Sequence, residues 1–343
     1  MDTLPVSEVD ADKIGWLTWL AAARAWLFLG FLFVAFEIWA QLAYHATFLF
    51  NPFNVQSIAI FAVAPLLLAL GQTLVIISGG IDLSVGFTMG FAAVVFAHCV
   101  NATSDSLGVF GSLAVGLIVA LTASIIPGLI NGLLIARLKV PPFIGTLGMY
   151  GVARGVAFLL AGGTTVPVRN SILATLGNGS LLGFPTIVLL TIIIVAVMHF
   201  ILSQSRYGQH IYAIGGSRQA SLRAGINVDR NTIVLYILSA LCAAMGGILY
   251  TARFSAGAAQ AGEPLLLDSI AAVVIGGASL FGGSGTIIGT VIGALIIAVI
   301  QYGLVFVNVE PFWQFVAVGV VIVISVLVDQ SQKRLGGGKV DEE

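Results

Sequence analysis

The sequence predicts an all-α integral membrane protein with about ten transmembrane helices. Hydrophobic residues make up 59% of the 343 residues and charged residues only 8%, against about 25% charged in an average soluble domain. Only seven charged side chains lie between residues 26 and 203, so the apolar stretches far exceed the roughly 20 residues that cross a bilayer. Ile187–Phe200 is apolar on every face, which argues against the alternating pattern of a membrane β-barrel strand and indicates helices.

The hydropathy pattern predicts ten spans. They cover roughly residues 24–49, 57–78, 85–100, 109–136, 143–161, 184–203, 232–252, 265–280, 285–307 and 312–328. The fifth and eighth spans are candidates for re-entrant segments, because the fifth carries Arg154 and the eighth is short and carries Asp268. Among the 41 glycines, the spacings Gly86-xxx-Gly90 and Gly285-xxx-Gly289-xxx-Gly293 are typical of membrane helices in close contact.

The basic residues predict the orientation of the spans, because short cytoplasmic loops are enriched in Lys and Arg. They concentrate in the turn at Arg137 and Lys139, in the loop Gln204–Asn231 and in the C-terminal tail. Four spans separate the N-terminus from the turn at Arg137, two separate that turn from the loop, and four separate the loop from the C-terminal tail. Since each number is even, the N-terminus and all three connections lie on the same side of the membrane. The sequence therefore predicts cytoplasmic tails over residues 1–23 and 330–343, and a transmembrane domain over residues 24–329 with a cytoplasmic loop over 204–231.

Two Gly-rich loops resemble each other and suggest a weak two-fold internal repeat. Ser78–Gly86 (SGGIDLSVG) and Ile275–Gly285 (IGGASLFGGSG) each precede a Gly-rich span, and transporters are often built from repeated halves. This alignment pairs the first two glycines of each loop and leaves two extra residues in the second loop. Chance similarity between Gly-rich turns is the alternative. The candidate pathway or hinge residues are Gly79, Gly80, Asp82, Ser84, Asn131, Asp268, Gly276 and Gly277.

Asp82 has two interpretations. An ionisable side chain between two spans often lies near a transport path. An Asp or Ser directly before a helix usually caps it by accepting hydrogen bonds from the free N–H groups of the first turn. The second interpretation predicts that Gly79 and Gly80 end one helix and that Asp82 or Ser84 caps the next.

Arg154 and Asp268 are the other charges inside apolar runs. A charge at the bilayer centre costs several kcal/mol unless it is paired or hydrated. The two side chains are therefore expected to pair with each other, to line a pathway, or to lie near the headgroups. Asn131 could hydrogen-bond either a polar solute or a neighbouring helix.

The segment Tyr207–Arg230 (YGQHIYAIGGSRQASLRAGINVDR) is the most organised hydrophilic stretch. Gly215 and Gly216 are expected to break the chain there. A helix of about two turns follows, which Ser217 is expected to cap and Gly225 to end. A short rigid helix of this kind could insert into a cleft of a partner protein. A basic loop that only obeys the positive-inside rule is the alternative.

The sequence lacks the motifs of common enzymes and cofactor sites. It contains no GxxxxGK[ST], HExxH or GxSxG motif. Its 14 Lys and Arg nearly balance its 15 Asp and Glu, unlike those of a nucleic-acid binder. Cys99 and Cys242 lack metal-site spacing. We therefore expect a chain that is not an enzyme and that carries no metal, no cofactor and no nucleic acid.

Three motifs resemble those of the membrane permease subunits of bacterial ABC importers for monosaccharides of the ribose, xylose, arabinose and fructose type. They are GGIDLSVG at Gly79–Gly86, PFIGTLG at Pro142–Gly148 and the loop AIGGSRQASLRAGI, and VVIGGASLFGGSGTIIGTVIGALII is similarly typical. The resemblance covers roughly residues 55–330. GGIDLSVG is its specific part, since the related branched-chain amino-acid permeases usually differ there.

The resemblance implies an inner-membrane importer subunit and its partners. These are two ATPase subunits that bind ATP–Mg, a periplasmic sugar-binding protein, and a second permease copy or a sister permease. By position, residues 215–226 match the family's segment that contacts the ATPase. The implied coupling residues are Gly215, Gly216, Ser217, Arg218, Ala220, Arg223 and Gly225.

Two alternatives stay open at this point. The first is an ABC permease for another solute, such as a branched-chain amino acid, a nucleoside or a sugar-like signal. The second is an ion-coupled secondary carrier, for which Asp82 and Asp268 would be the candidate carboxylates.

Overall fold

A computed structural model describes residues 11–310 and 312–336, and the side chains of residues 24–310, 312–324 and 327. The predicted tails, residues 1–23 and 330–343, lie outside the described side chains. The described chain is almost entirely helical and rich in long apolar helices, so the predicted class of all-α integral membrane protein is confirmed. The helices are α1 (Ala11–Tyr44), α2 (Pro52–Ile77), α3 (Val85–Ala136), α4 (Pro142–Ala161), α5 (Ser171–Asn178), α6 (Thr186–Gln204), α7 (Arg206–Gly216), α8 (Arg218–Arg223), α9 (Val228–Phe254), α10 (Leu265–Ile275), α11 (Ile287–Phe306) and α12 (Phe312–Gly336).

Four two-residue strands form two small antiparallel ladders between the helices. Strands β1 (Val166–Pro167) and β4 (Ala256–Gly257) pair with each other, and β2 (Ser180–Leu181) and β3 (Phe184–Pro185) form a tight hairpin. These ladders join the connections at the ends of the helices and do not alter the helical class.

Helix α3 consists of two membrane helices joined by a sharp turn. Its 52 residues correspond to about 78 Å of helix, more than twice the roughly 30 Å of the hydrocarbon core. Gly108 has φ 67° and ψ −173°, which breaks the helix. A Cβ on Gly116 would stand 2.7 Å from Cγ2 of Val100, so the second half folds back against the first. The predicted third and fourth spans correspond to these two halves.

Seven helices of the described residues are long and apolar enough to cross a membrane when α3 is counted once. Helix α4, a candidate for a re-entrant segment, is one of them and has 20 residues, enough for about 30 Å. Helix α10 has only 11 residues, or about 16 Å, and cannot cross alone. The total of ten crossings stays a prediction.

The eighth predicted span, 265–280, differs from the structure in form. The helix ends at Ile275, and non-helical backbone precedes it. This backbone runs along the first half of α3, where Gly257 lies against Ala93 and Gly262 against Gly86. Non-helical backbone is tolerated at membrane depth where protein surrounds it, and residues Gly257–Ala259 are buried. The eighth span is therefore a half-helix that continues a buried irregular segment.

Closely packed glycines hold the central helices together, as the spacings predict. A Cβ on Gly132 of α3 would stand 2.7 Å from Cα of Ile233 on α9. Gly90 lies against the carbonyl of Ala259, and Gly293 of α11 against the carbonyl of Ala272 on α10. Each of these glycines leaves room for another backbone.

The connections between helices lie at two opposite ends of the bundle. We call one end the junction face: the loops α2–α3, α3–α4, α6–α9 and α10–α11 meet there. The Gly283 amide donates to Ile77 O over 2.8 Å, and Lys139 bridges to Asp229 over 2.9 Å. We call the other end the hairpin face, where Gln56 donates to Gly183 O over 2.9 Å.

Arg24 of α1 and Ile324 of α12 also lie at the junction face. The Arg24 guanidinium of α1 stands 3.5 Å from the position of a Cβ on Gly277. Ile324 of α12 lines the same surface pocket as Arg24 and Ile275. Two of the three basic connections, the turn at Arg137 and Lys139 and the loop Gln204–Asn231, therefore share one face with Arg24, which agrees with the even count of spans between them; the basic C-terminal tail lies outside the described side chains.

Candidate functional site

Helices α2 and α10 end with the same glycine cap at the junction face. Gly79 has φ +85° and Gly277 has φ +93°, a left-handed conformation that glycine adopts without strain. After α2, the amides of Gly79 and Gly80 donate to Ile76 O and Val75 O, both over 2.9 Å. This pair of backward bonds is the Schellman arrangement that ends a helix.

The end of α10 repeats these bonds one position later than the sequence alignment suggests. The amides of Gly277 and Ala278 donate to Val274 O over 2.9 Å and to Val273 O over 3.1 Å. Gly79 therefore corresponds to Gly277, and Gly276 takes the position of Ser78. The predicted pairing of the first two glycines is off by one residue, because the position that needs φ > 0 is the second residue after the helix.

Asp82 is buried and hydrogen-bonded to hydroxyl and amide groups. Its Oδ1 accepts from Ser84 N over 3.0 Å and from Ser84 Oγ over 2.6 Å, and its Oδ2 accepts from Ser239 Oγ over 2.8 Å. Asn131 Nδ2 donates to Ser84 Oγ over 2.9 Å. The structure thus brings Asp82, Ser84 and Asn131 together, with Ser239 of α9 as the member that the sequence did not reveal.

The predicted cap at this point is only partly right. Ser84 is the N-cap residue of α3, but its side chain makes no cap hydrogen bond; its hydroxyl instead donates to Asp82 and accepts from Asn131. Asp82 accepts the amide of the N-cap residue itself. Gln72 then clamps the Asp82 backbone, donating to its carbonyl over 2.5 Å and accepting from its amide over 3.3 Å. This loop is fixed to α2, α3 and α9 at once.

The segment between α6 and α9 contains two helices, and the second matches the prediction. Ser217 Oγ accepts from Ala220 N over 3.2 Å and starts α8. Gly225, at φ +78°, ends it, and the Ile226 amide donates to Ser221 O over 3.0 Å. The six residues of α8 make slightly fewer than the two turns expected. Helix α7, which precedes it, was not anticipated from the sequence.

Helix α8 presents most of its surface to solvent. Arg218, Ala220 and Arg223 are exposed, as is the apolar side chain of Leu222, while Ser221 alone is buried. Arg218 Nη2 lies 3.4 Å from Oδ1 of Asp229. The same oxygen accepts from Lys139 Nζ over 2.9 Å, so one carboxylate joins α8, the α3–α4 turn and the start of α9.

Gly215 places α7 directly on the two glycine loops. A Cβ there would stand 2.6 Å from Gly283 N and 2.9 Å from Ile77 C, and closer still to Ile77 O. A Cβ on Gly282 would stand 2.9 Å from Gly215 O. We call this contact of Ile77–Gly79, Gly215–Gly216 and Gly282–Gly283 the glycine junction. Gly215 and Gly216 are the last residues of α7, so they end a helix and also form a contact between backbones.

Two tyrosines hold α7 against the bundle. Tyr212 Oη donates to Gly285 O over 2.7 Å, and Tyr207 Oη donates to Asn231 O over 3.1 Å. Burial raises the pKa of both phenols, because desolvation disfavours the charged form. Both therefore keep their protons and act as donors over the physiological pH range.

A second candidate site is a cavity of about 680 Å³ between the membrane helices. Its polar lining residues are Arg253, Gln260, Glu263, Asp268, Gln301 and Gln314. Gln301 Nε2 donates to Asp268 Oδ2 over 2.8 Å. Of these residues only Asp268 was a candidate from the sequence. A lone glutamine inside the apolar ninth span was the available signal for Gln301.

Arg154 and Asp268 do not pair with each other. Arg154 Nη1 lies 4.0 Å from Glu263 Oε1, and its guanidinium lies 5.3 Å from the centre of the Phe87 ring. Asp268 faces the cavity and bonds to Gln301. Their pairing with each other, one of the three expected arrangements, is therefore wrong, and a place on a pathway or near the headgroups stays a prediction.

Comparison with known proteins assigns this chain to a family. Its membrane fold and the match of residues 54–326 to the family described as branched-chain amino acid transport system / permease component show that the chain belongs to that family. It is a multi-pass transporter membrane subunit.

Individual relatives narrow the comparison. The chain is 38% identical over 276 residues to the probable ABC transporter permease protein y4mJ of Sinorhizobium fredii, covering 80% of each chain. It is 38% identical over 288 residues to the ribose import permease protein RbsC of Escherichia coli, covering 82% of this chain and 86% of that protein. It is 36% identical over 269 residues to the fructose import permease protein FrcC of Rhizobium meliloti, covering 76% and 72%. No solved structure matches the chain.

Proposed function

We propose that this chain is the membrane-spanning permease subunit of an ATP-driven ABC importer for a monosaccharide that a periplasmic binding protein delivers. The observation that carries the proposal is the similarity over most of the chain to permeases named for ribose and fructose import. The motif GGIDLSVG supports it, because its resemblance to the sugar permeases includes residues with defined roles: Gly79 caps α2 and Asp82 fixes the loop.

Helix α8 is the proposed contact with the ATPase. It is short and capped at both ends, and its exposed Arg218 and Arg223 can reach an acidic cleft. The glycine junction gives the contact a route inward, since a displacement of α7 moves the end of α2 and the α10–α11 loop together. ATP–Mg would bind the partner ATPase, and this chain would supply no cofactor.

The junction face is the proposed cytoplasmic side of the bacterial inner membrane. It carries the basic loops, as the positive-inside rule requires, together with the start of α1. Both tails, residues 1–23 and 330–343, would then be cytoplasmic, and residues 24–329 would form the transmembrane domain with its coupling loop 204–231. A second permease copy or a sister permease would complete the transport pathway, because alternating access needs two halves that rock against each other.

The test is transport by the reconstituted complex in proteoliposomes. Arg218→Glu with Arg223→Glu is expected to abolish the ATPase activity that the sugar-loaded binding protein stimulates, because the reversed charges no longer fit the ATPase cleft. The permease should still insert in the membrane and purify as a monodisperse protein. Gln219→Glu, on the same helix, is the control and should keep more than about half of the activity. Normal transport by the double variant would contradict the proposed contact.

Import of a branched-chain amino acid is the second candidate, because the family description names that solute. The same proteoliposomes separate the two candidates. Uptake of labelled D-ribose, D-fructose or D-galactose supports the sugar function, and uptake of L-leucine alone supports the other. Uptake that persists without any ATPase subunit would instead identify an ion-coupled carrier.

A further inference from the structure

The cavity around Asp268, which we call the Asp268 cavity, lies inside a single permease chain. It is bounded by α2, α6, α9, α10, α11 and α12. Its volume of about 680 Å³ falls within the roughly 300–1,000 Å³ of small-molecule sites. Arg253, Phe254 and Gln314 place it in the half of the bundle nearer the hairpin face. The cavity is therefore separate from the glycine junction.

Asp268 retains a free acceptor that points to a ligand with hydroxyl groups. Its side chain is buried, at 6% exposure, and its Oδ2 is occupied by Gln301. Its Oδ1 accepts no hydrogen bond from any residue that the structure describes. Gln260 and Gln314 each add one acceptor and two donors, and Gln301 adds one acceptor and the donor that Asp268 leaves free. A sugar hydroxyl both donates and accepts, so it can satisfy carboxylate and amide groups together.

The other charged groups of the cavity already have protein partners. Glu263 lies near Arg154 and accepts from Tyr150 Oη over 3.3 Å. Arg253 Nη1 donates to Asn178 Oδ1 over 2.5 Å. Arg253 keeps its positive charge beside the neutral Asn178, so the cavity carries charges of both signs. The free Asp268 oxygen and the surrounding glutamine amides match the hydroxyl groups of a neutral polyhydroxylated solute.

Two interruptions of regular helix occur around this cavity. Helix α10 begins at Leu265, directly after the non-helical backbone of residues 255–264, and Asp268 is in its first turn. On α2, Pro65 has no N–H, so Phe61 O lacks the donor that a regular helix would supply at residue 65. Transporter sites are typically built at such discontinuous helices, where free backbone groups can meet a solute. The apolar rings of Phe61, Tyr250 and Phe315 supply the remaining walls.

We infer that the Asp268 cavity binds one monosaccharide within the permease, with Asp268 and Gln301 as its main hydrogen-bonding partners. The inference rests on the proposed function and adds a second site of selection after the periplasmic binding protein. A site built to hydrogen-bond hydroxyls discriminates against solutes that lack them. The permease would then contribute to substrate choice instead of offering an unselective path.

Protection of an introduced thiol tests this inference. Gln260→Cys, at the edge of the cavity, is made in a background without the native thiols (Cys99→Ser and Cys242→Ala), so that Asp268 and Gln301 stay intact, and the purified complex is modified with a water-soluble methanethiosulfonate. D-ribose, D-fructose and D-galactose are each added at about 100 mM. At least one sugar should slow the modification about tenfold, the factor 1 + [L]/Kd for a weak site with Kd of about 10 mM. L-leucine should not slow it.

Two further thiols control the experiment. Leu182→Cys, at the exposed β2–β3 turn, should react at the same rate with and without sugar. Gln314→Cys reports on the same cavity if Gln260→Cys does not purify as a monodisperse protein. The inference is overturned if no sugar slows modification of the cavity thiol, if L-leucine protects it equally, or if the thiol does not react at all, since a closed cavity cannot admit a sugar.

The ATPase assay of the same preparations separates this inference from the proposed function. Stimulation by the loaded binding protein without protection of the thiol would leave the importer function and remove the cavity site. Protection without stimulation would leave the cavity site and remove the coupling through α8.

Discussion

Alanine substitution at Gly215 and at its neighbour Gly216 tests whether the glycine junction is a packed contact. Both glycines lie at the end of α7 with negative φ, so alanine fits the backbone at either position. They differ in space: a Cβ on Gly216 meets nothing within 4 Å, whereas one on Gly215 would stand 2.6 Å from Gly283 N. The two variants therefore make the same substitution in the same helical backbone and differ only in whether the new methyl group meets other atoms.

The expected cost at Gly215 follows from these distances. The Cβ would also stand 2.9 Å from Ile77 C, and all three nearest atoms are backbone atoms that no rotamer change can move. The junction must open, which costs about 1–3 kcal/mol as overpacking. Opening also weakens the hydrogen bond from Gly283 N to Ile77 O, worth about 1 kcal/mol. Alanine returns at most about 1 kcal/mol of helix propensity, so the net loss is about 1–3 kcal/mol.

The assay measures the melting temperature of the detergent-purified permease. Samples are heated, and size-exclusion chromatography quantifies the protein that stays monodisperse at each temperature. Gly215→Ala should lower the melting temperature by about 2–12 °C, at roughly 2–4 °C per kcal/mol. Gly216→Ala should leave it within about 1 °C of the parent protein or raise it slightly. Equal melting temperatures for the two variants would refute the close contact of α7 with Ile77 and Gly283.

Two further predictions concern the buried loop and the orientation. Asp82→Asn should keep most of the transport and lose about 1 kcal/mol of stability, because one oxygen remains and Ser239 Oγ can accept from the new amide, whereas Asp82→Ala leaves three buried donors without an acceptor and should lose more than about 3 kcal/mol. Melting temperatures and sugar uptake of both variants check this prediction. Complete loss of transport in a stable Asp82→Asn protein would instead show that the charge is required. In intact cells, a membrane-impermeant maleimide should label Leu182→Cys, whose parent side chain is 91% exposed at the hairpin face, and should leave Arg223→Cys unlabelled until the membrane is opened; the reverse pattern would invert the orientation.

Local features of the fold were predictable from the sequence because short-range chemistry determines them. The caps at Ser217 and Gly225 depend on residues within one turn of each end, and both occur where expected. The long apolar runs likewise predicted most of the spanning helices. The register of the internal repeat was missed by one residue, since two adjacent glycines do not reveal which of them adopts a positive φ.

The tertiary relations needed the structure. Asp229, Ser239 and Gln301 are unremarkable polar residues in the sequence, yet each completes a contact with a residue far along the chain. The early end of the eighth span at Ile275 was also hidden, as was the buried irregular backbone before it, because their contacts with other helices do not show in the sequence. The non-helical course of residues 257–262 is favoured by α3, whose Gly86 and Gly90 leave space for another backbone.

The positions of the few charged groups explain how the two candidate sites can act together. At the junction face, charge lies outside the bundle, where Asp229 ties α8 to the α3–α4 turn and α9. Inside, Asp82 is held by neutral donors on α3 and α9, and Asp268 stands on α10. Helix α10 reaches from the Asp268 cavity to Gly276, beside the glycine loops, so its two ends connect the sites directly. Displacement of the glycine junction would therefore shift the walls of the cavity through one short helix, without any charge having to cross the membrane.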